Sequence, residues 1–479
     1  MPENSADSFN KQKNWRSTLD QEAALSAGSV TSRSLVTEAF EQLEKTRSNN
    51  AFISFDKKAA LEQAEYLDKL RQKGSVSGPL HGIPIVVKDN VHVTGMANTA
   101  GTPALKEFVP PSDAEVITRL RRAGAIILGK TNMHELAYGI TSGNLAFGRI
   151  ANAVNREYFA GGSSGGTAVA IASGVVAGGL GTDTGGSSRI PAALNGIAGF
   201  RPTTGRYPAS GLTLISSTRD TVGPMGKTVA DVSLLDSVLS GETQHAEAID
   251  LKEIRFGVPR AYFFKDLEPA IAREMERLLN ALRSSGARTV DVDLHGVEEL
   301  NGLIGFPIVL YETGELLPAY LEKYMPGETL ESLVDAVASP DVMAVMQGVL
   351  SGAVTEEVYL QALETHRPKL QESYASYFLE NELDVMIFPT TPLTARALEG
   401  SDESVMLNGQ QIETFPAYIR NTDPGSNAGI PGLTVPLGTT ETGMPFGVEI
   451  DGPAGSDRRL LAIGRALEAF INNNLRYSE

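Results

Sequence analysis

Hydrophobic positions in the first 75 residues recur at helical spacings. Leu35, Ala39 and Leu43 lie four residues apart, which places them on one face of a helix. A second apolar run between Ala59 and Leu70 recurs at spacings of two to four residues. The pattern therefore predicts helices from about residue 15 to residue 75.

Short β-branched runs further along predict strands. The run HGIPIVVK at residues 81–88 is typical of a buried strand, and we expect it to end at Lys88. Strands are also predicted at residues 385–388 and 433–437, where the sequence reads VMIF and LTVPL.

Two stretches combine a helical pattern with a following strand. Ser112 and Glu115 fit the capping box that opens a helix. Gly124 is expected to end that helix, and a strand is expected to begin at Ile126.

In the second unit, Pro269 lies near a helix start and Gly286 stops the helix. Its apolar stripe comprises Ile271, Met275, Leu278, Leu279 and Leu282. The half-buried strand predicted to follow comprises the alternating residues Val290, Val292 and Leu294.

This alternation of helices and strands indicates an α/β sheet covered by helices. We expect one large domain overall, made of an N-terminal helical segment (1–75), a core (76–240), a continuation with a helical insertion (255–382) and a C-terminal part of the same core (383–479). The polar, acidic stretch at 241–253 is expected to be a surface connection, and residues 295–382 are mostly helical in pattern.

Composition narrows the function classes. The 479 residues carry a formal net charge of −17, which disfavours nucleic acids and anionic membranes as partners. The absence of cysteine excludes disulfides and a thiol nucleophile. The polar N-terminus and the absence of a long apolar run predict neither a secretory signal nor a membrane span, so we expect a cytoplasmic enzyme.

Two glycine- and serine-rich stretches hold the candidate chemistry: GGSSGG at residues 161–166 and GTDTGGSSR at residues 181–189. Glycine lets a backbone approach a ligand closely. Successive free N–H groups in such loops can hold a phosphate or a developing oxyanion. The two stretches therefore predict a binding or catalytic site.

Three interpretations of these stretches can be drawn from the residues alone. A phosphate loop would need the Gly-Lys-Ser/Thr ending, which neither stretch has. A nucleophile elbow centred on Ser164 would need a preceding strand, which residues 155–160 do not resemble, and a downstream histidine. The histidines available are His245, His295 and His366. In the third interpretation, both stretches are only tight loops.

These stretches, together with HGIPIVVKDN around Lys88 and GAIILGKTNMHELAYG from residue 124, resemble the amidase signature family. The resemblance covers residues 78–230 and resumes at 385–392 and from 429 to the end. It implies the amidase signature fold, a large mixed β-sheet covered on both faces by helices. It is specific because it joins one lysine and two serines at defined positions.

The resemblance implies a catalytic triad in which Ser187 is the nucleophile, Ser163 bridges and Lys88 is the base. The base must be neutral, and burial lowers the pKa of a lysine. The resemblance also implies a cis peptide bond at Ser163. The oxyanion would be held by backbone N–H groups of four residues, Thr184, Gly185, Gly186 and Ser187.

Residues that flank the triad are given supporting roles. Asp183 and Arg189 are interpreted as a structural pair that fixes the nucleophile loop, and Ser164 as a residue that holds the loop by hydrogen bonds. Ser188 is expected to be a bystander. The six histidines are scattered, so no metal site and no cofactor are expected.

Within the family, the sequences at 195–202, 217–220, 419–430 and 451–459 look most like mandelamide and indoleacetamide hydrolases. The resemblance implies a small aryl- or arylalkyl-amide substrate, with ammonia or an amine as the leaving group. The pocket candidates lie in residues 134–141 and in the helical region 300–350, and those singled out are Ala137, Tyr138, Gly139, Phe306, Leu310 and Tyr311.

Alternatives stay open at this point. Anilides, esters and carbamates share the same acyl chemistry. The amidase subunit of a tRNA-dependent amidotransferase is a rival, although the residues at 133–135 and the C-terminal third depart from its pattern. A non-enzymatic amide-binding protein would have no reason to keep all three triad residues. A homodimer is possible from family habit.

Overall fold

A computed structural model describes residues 17–242 and 249–475. The predicted N-terminal segment is therefore described only from residue 17. His245 and residues 243–248 of the predicted acidic connection lie outside the described residues.

Eleven strands of the described residues form one sheet in the order β1-β3-β2-β4-β6-β5-β12-β13-β9-β7-β8, and β10 pairs separately with β11. The strands are β1 (Phe52–Phe55), β2 (Pro84–Lys88), β3 (Ile126–Thr131), β4 (Gly178–Asp183), β5 (Ala198–Arg201), β6 (Thr221–Gly226), β7 (Arg255–Val258), β8 (Arg288–Asp291), β9 (Val385–Pro389), β10 (Ser404–Leu407), β11 (Gln410–Glu413), β12 (Gly432–Thr439) and β13 (Pro445–Asp451). Strand β2 is parallel to both β3 and β4, whereas β4 and β6 are antiparallel. The predicted mixed sheet is confirmed.

The α-helices are α1 (Thr18–Ser26), α2 (Ser32–Lys45), α3 (Lys57–Gln72), α4 (Glu115–Arg122), α5 (Gly165–Ala172), α6 (Arg189–Asn195), α7 (Val229–Ser240), α8 (Arg260–Phe263), α9 (Pro269–Ser284), α10 (Val297–Tyr324), α11 (Leu330–Asp335), α12 (Pro340–Leu350), α13 (Glu356–Gln361), α14 (Arg367–Glu380), α15 (Thr414–Ile419), α16 (Asp423–Ala428) and α17 (Asp457–Asn474). Helices α10 to α14 occupy most of 295–382, as the pattern predicted. Within the described ranges, no helix combines the length and hydropathy needed to cross a membrane.

The alternation of side chains along β2 explains why helices cover both faces of the sheet. Ile85 and Val87 pack into one core with Leu235 of α7, whereas Val86 packs into another with Phe40 of α2 and other apolar residues. Successive residues of a strand point to opposite faces. A strand with apolar side chains on both faces therefore needs a cover on both sides.

The predicted capping box at Ser112 is wrong. Helix α4 begins at Glu115, and its N-cap residue is Ala114, which makes no side-chain cap. The backbone of Ala114 instead donates to His92 O at 3.0 Å and packs against Gly211, where a Cβ would lie 2.6 Å from Ala114 Cα. Tertiary packing of Ala114 overrides the local capping signal.

Two strands differ from the prediction. Strand β1 interrupts the predicted helical region. It forms because it pairs antiparallel with β3, and its four residues are too few to show a strand period in the sequence. Strand β8 ends at Asp291 and does not reach Val292 or Leu294. It is an edge strand that pairs only with the four residues of β7, which limits its length.

Candidate functional site

The three predicted triad residues meet at one end of the sheet. Lys88 is the last residue of β2, Ser187 follows β4, and Ser163 precedes α5. Because β2 and β4 are neighbouring parallel strands, their carboxyl ends lie side by side. Lys88 and Ser163 are fully buried, and Ser187 is 8% exposed.

Lys88 Nζ lies 2.8 Å from Ser163 Oγ and 2.8 Å from Thr182 Oγ1. Its pKa is lowered to about 7, because burial penalises the charged ammonium more than the carboxylates of Asp183 and Asp220 stabilise it. A lysine in this state can accept a proton near neutral pH.

The loops that carry the two serines are joined through their backbones. Ser164 N–H donates to Ser187 O at 3.1 Å, and Ser164 Oγ donates to Thr182 O at 3.1 Å. The Gly162–Ser163 peptide bond is cis, as the resemblance implied. Among the described residues, no hydrogen bond joins the hydroxyls of Ser163 and Ser187.

Asp183 holds the loop that carries Ser187, at residues 184–188. Its carboxylate accepts from Gly186 N–H at 2.9 Å and from Ser188 N–H at 3.2 Å. It also forms ion pairs at 3.1 Å with each of two buried guanidiniums, Arg189 and Arg201. Burial by itself would raise the pKa of Asp183, but the two arginines lower it well below its ordinary value.

The predicted Asp183–Arg189 pair is therefore present, and it belongs to a network that includes more residues than the prediction named. Arg189 also donates to Glu449 Oε1 at 2.9 Å and to Ser426 Oγ at 2.7 Å. Sequence reasoning missed Arg201, Glu449 and Ser426, and the last two lie in the C-terminal third of the chain. Two acidic residues in the strand β13, Glu449 and Asp451, were a signal that could have drawn attention to Glu449.

Gly186 is required by two features of the loop. Its φ is +138°, which side chains rarely allow, and a Cβ on this residue would lie 2.1 Å from Thr422 Oγ1. Thr422 Oγ1 donates in turn to Gly185 O at 2.7 Å. The glycines therefore allow the C-terminal third to hold the loop at close range.

A cavity of about 360 Å³ opens beside Ser187, Thr184 and Gly185. Of the predicted pocket residues, four line this cavity: Ala137, Tyr138, Gly139 and Phe306. The predictions for Leu310 and Tyr311 are wrong. Leu310 is absent from the lining, and Tyr311 stacks on Tyr359 with ring centroids 4.2 Å apart. In helix α10 only the face that carries Phe306 and Val309 is turned to the cavity.

Two further lining residues, Ile140 and Val309, lie within the predicted pocket ranges 134–141 and 300–350. Sequence reasoning missed the apolar residues Ile215, Phe415, Pro416 and Ile419. Among the polar residues are Arg219, Asp423, Tyr262, Glu298 and Arg420. These residues come from segments far apart in sequence, and no local pattern distinguishes them from core residues.

The nucleophile-elbow interpretation does not fit the geometry. Residues 155–160 contain only isolated bridges at Tyr158 and Phe159 and no strand. Of the two candidate histidines that the structure describes, neither His295 nor His366 lines the cavity. Across residues 17–242 and 249–475, no group of three or more acidic or histidine side chains is placed to bind a metal ion.

Comparisons with known proteins place the chain in a family. The profile of the family described as Amidase matches residues 34–461. An indoleacetamide hydrolase from Agrobacterium vitis is 42% identical over 439 residues, which cover 91% of this chain and 93% of that protein. A mandelamide hydrolase from Pseudomonas putida is 40% identical over 476 residues, which cover 95% of this chain and 92% of that protein.

A solved structure is similar over nearly the whole chain. It is described as a crystal structure of an amidase and superposes with a TM-score of 0.85 at 35% identity, covering 95% of this chain and 99% of that chain.

Proposed function

This chain belongs to the amidase family and is an amide-hydrolysing enzyme, and from that premise we propose that it cleaves a small aryl- or arylalkyl-amide to a carboxylic acid and ammonia or an amine. The proposed catalytic residues are Ser187, Ser163 and Lys88. The observation that carries the proposal is the buried 2.8 Å contact between Lys88 Nζ and Ser163 Oγ, beside a cavity that Ser187 lines.

In the proposed first step, Ser187 Oγ attacks the amide carbon. A serine hydroxyl is a weak nucleophile until a base takes its proton. That proton passes to Ser163 Oγ, while Ser163 gives its own proton to Lys88 Nζ. Because burial lowers the pKa of Lys88 to about 7, the neutral lysine that accepts this proton is accessible near neutral pH.

The tetrahedral intermediate places a negative charge on the former carbonyl oxygen. Backbone N–H groups that point to this position stabilise it. Gly186 N–H already donates to Asp183 at 2.9 Å, so the proposed oxyanion site uses mainly the N–H groups of Thr184, Gly185 and Ser187. Asp183 then acts by holding the loop that presents them.

Collapse of the intermediate breaks the C–N bond. Ser163 returns a proton to the departing nitrogen and is reprotonated by Lys88, which leaves an ester on Ser187. Water attacks this ester, with Lys88 again accepting the proton through Ser163. The acid is released and Ser187 regains its proton.

The substrate class rests on the cavity and on the relatives. The lining of the cavity is mostly apolar and includes Phe306, Phe415 and Ile419. Such a lining favours apolar groups of a substrate. The relatives are named for indoleacetamide and mandelamide.

The test is release of ammonia and acid from a panel of amides. We expect turnover of phenylacetamide, mandelamide or indoleacetamide by the purified chain without any partner protein. Glutamine and a matched set of anilides, esters and carbamates complete the panel. Turnover of glutamine only, or of no amide at all, would contradict the proposed substrate class.

A further inference from the structure

We propose that Phe306 and Phe415 form an aromatic clamp that selects amides with a planar ring in the acyl group. The inference deepens the proposed function and rests on it. The two residues lie on different helices, α10 and α15, and their ring centroids are 5.7 Å apart with an interplanar angle of 43°.

The clamp lies at the solvent end of the cavity. Ser187 and Phe306 both line it, but the exposed fraction rises from 8% at Ser187 to 52% at Phe306. A substrate with its carbonyl at Ser187 therefore extends its acyl group toward the two rings. A phenylalanine half exposed beside a cavity gains burial when an apolar ligand covers it.

The tilt of the rings suits a planar group. Aromatic rings attract one another in offset or edge-to-face arrangements at centroid distances of about 4.5–7 Å. The two phenylalanines meet in this range already. An aryl ring that enters the cavity can pack against the wall that the two rings form together, whereas a short alkyl chain offers less apolar area to that wall.

The charged side chains of the lining are engaged with neighbouring groups. Arg420 donates to Asn421 Oδ1 at 3.1 Å and to the backbone oxygen of Lys265. Arg219 is paired with Asp423 in the wall and donates to Gly305 O at 2.9 Å. Glu298 lies 3.7 Å from Lys265. Around the clamp the wall is apolar, with Val309, Ile419 and Pro416. These contacts fit a neutral aromatic group.

The test compares two amides that differ in the acyl group only, phenylacetamide and propionamide. The ratio of their kcat/KM values measures selectivity for the ring. It does not change when a substitution lowers the activity toward both amides equally. We expect this ratio to fall roughly tenfold in Phe306→Ala and in Phe415→Ala, chiefly through a higher KM for phenylacetamide. Phe306→Leu should recover only part of the ratio.

Leu310→Ala is the matched control, because Leu310 lies one turn further along α10 and is absent from the cavity lining. Its ratio should equal that of the wild type. An unchanged ratio in both phenylalanine variants, or an equal fall in Leu310→Ala, would overturn the clamp.

A binding measurement separates the clamp from the proposed chemistry. Calorimetric titration of phenylacetamide into Ser187→Ala and into Ser187→Ala/Phe306→Ala needs no turnover. A roughly tenfold weaker affinity in the double variant supports the clamp even if the wild type hydrolyses neither amide, a result that would overturn only the proposed function. Equal affinities overturn the clamp.

Discussion

Lys88 is the residue whose state decides the proposed chemistry. Complete burial lowers its pKa to about 7, and the carboxylates of Asp183 and Asp220 act in the opposite direction. A base must be neutral to accept a proton. The position of this pKa therefore sets the pH range in which the enzyme works.

We expect kcat/KM for phenylacetamide to rise with pH up to about 7 and to level off above it. Below that midpoint Lys88 is protonated, so the rate should fall tenfold for each pH unit. Phenylacetamide is neutral over this range, so its own titration does not interfere. A profile from pH 5 to 9 tests this, and a flat profile would contradict the role of Lys88.

At the residue scale, the resemblance implied the three proposed triad residues, and the structure brings Lys88 into contact with Ser163. The run before Lys88 also indicated a buried strand, and the structure places Lys88 at its end, fully buried. The contact of Lys88 with Thr182 could not be predicted, because it depends on the pairing of β2 with β4. The prediction failed for Leu310 and Tyr311, since the sequence does not say which face of α10 meets the cavity.

At the scale of elements, the loop between β4 and α6 that carries Ser187 is held by contacts from several elements. Asp183 binds it through Gly186 and Ser188, and Thr422 contacts Gly185 from the C-terminal third. The loop conformation therefore depends on distant elements as well as on its own glycines.

Gly186→Ala should damage both stability and activity. Its φ of +138° and a Cβ only 2.1 Å from Thr422 Oγ1 force the loop to move. We expect a loss of about 1–3 kcal/mol in the free energy of unfolding and roughly a hundredfold lower kcat, because displaced N–H groups support the oxyanion less well.

Gly205→Ala is the control, because Gly205 also has a positive φ of +87° but nothing within 4 Å of a Cβ. The loss in its free energy of unfolding should come from backbone strain alone, and its kcat should be close to that of the wild type. Denaturant unfolding and steady-state kinetics on both variants test the idea. Equal stability losses together with full activity in Gly186→Ala would contradict it.

Element boundaries show where sequence patterns are least informative. Helix α9 and its buried stripe were predicted correctly because sixteen residues display the helical period clearly. The cap of α4 and the extent of β1 and β8 were not, because packing against Gly211 and the pairing of short edge strands decide them.

At the scale of the whole molecule, the sheet joins sequence regions far apart. Strand β5 pairs with β12, and Arg189 reaches Glu449 of β13 at 2.9 Å. The predicted single large domain leads us to expect one cooperative transition in denaturant. Circular dichroism and residual activity should fall together. Two separated transitions would count against a single domain.

Glu449 should contribute strongly to the free energy of unfolding. It is fully buried and is paired with Arg189, so Glu449→Ala leaves a buried guanidinium without one partner. Removing one member of a buried pair typically costs about 3–5 kcal/mol. Denaturant midpoints measure this loss.

Glu62→Ala is the surface control, since Glu62 is 68% exposed and lies 3.9 Å from Lys58. Such a pair contributes less than about 1 kcal/mol. Similar losses in the two variants would rule out a special role for the Arg189–Glu449 link.

The sequence predicted the α/β class and the helical region 295–382, and the resemblance added the mixed sheet. The order of the strands did not follow from local patterns, because it depends on long-range pairing such as β5 with β12. The network of Asp183, Arg189 and Glu449 depends on that order, so it became visible only in the folded chain.

The most direct test of the central claim is covalent trapping of the acyl-enzyme. Wild type, Ser187→Ala and Ser188→Ala would be mixed with the activated ester p-nitrophenyl phenylacetate, quenched in acid and examined by intact-protein and peptide mass spectrometry. We expect one phenylacetyl group on Ser187 in the wild type and in Ser188→Ala, and none in Ser187→Ala. An adduct on another residue, or labelling that persists in Ser187→Ala, would contradict it.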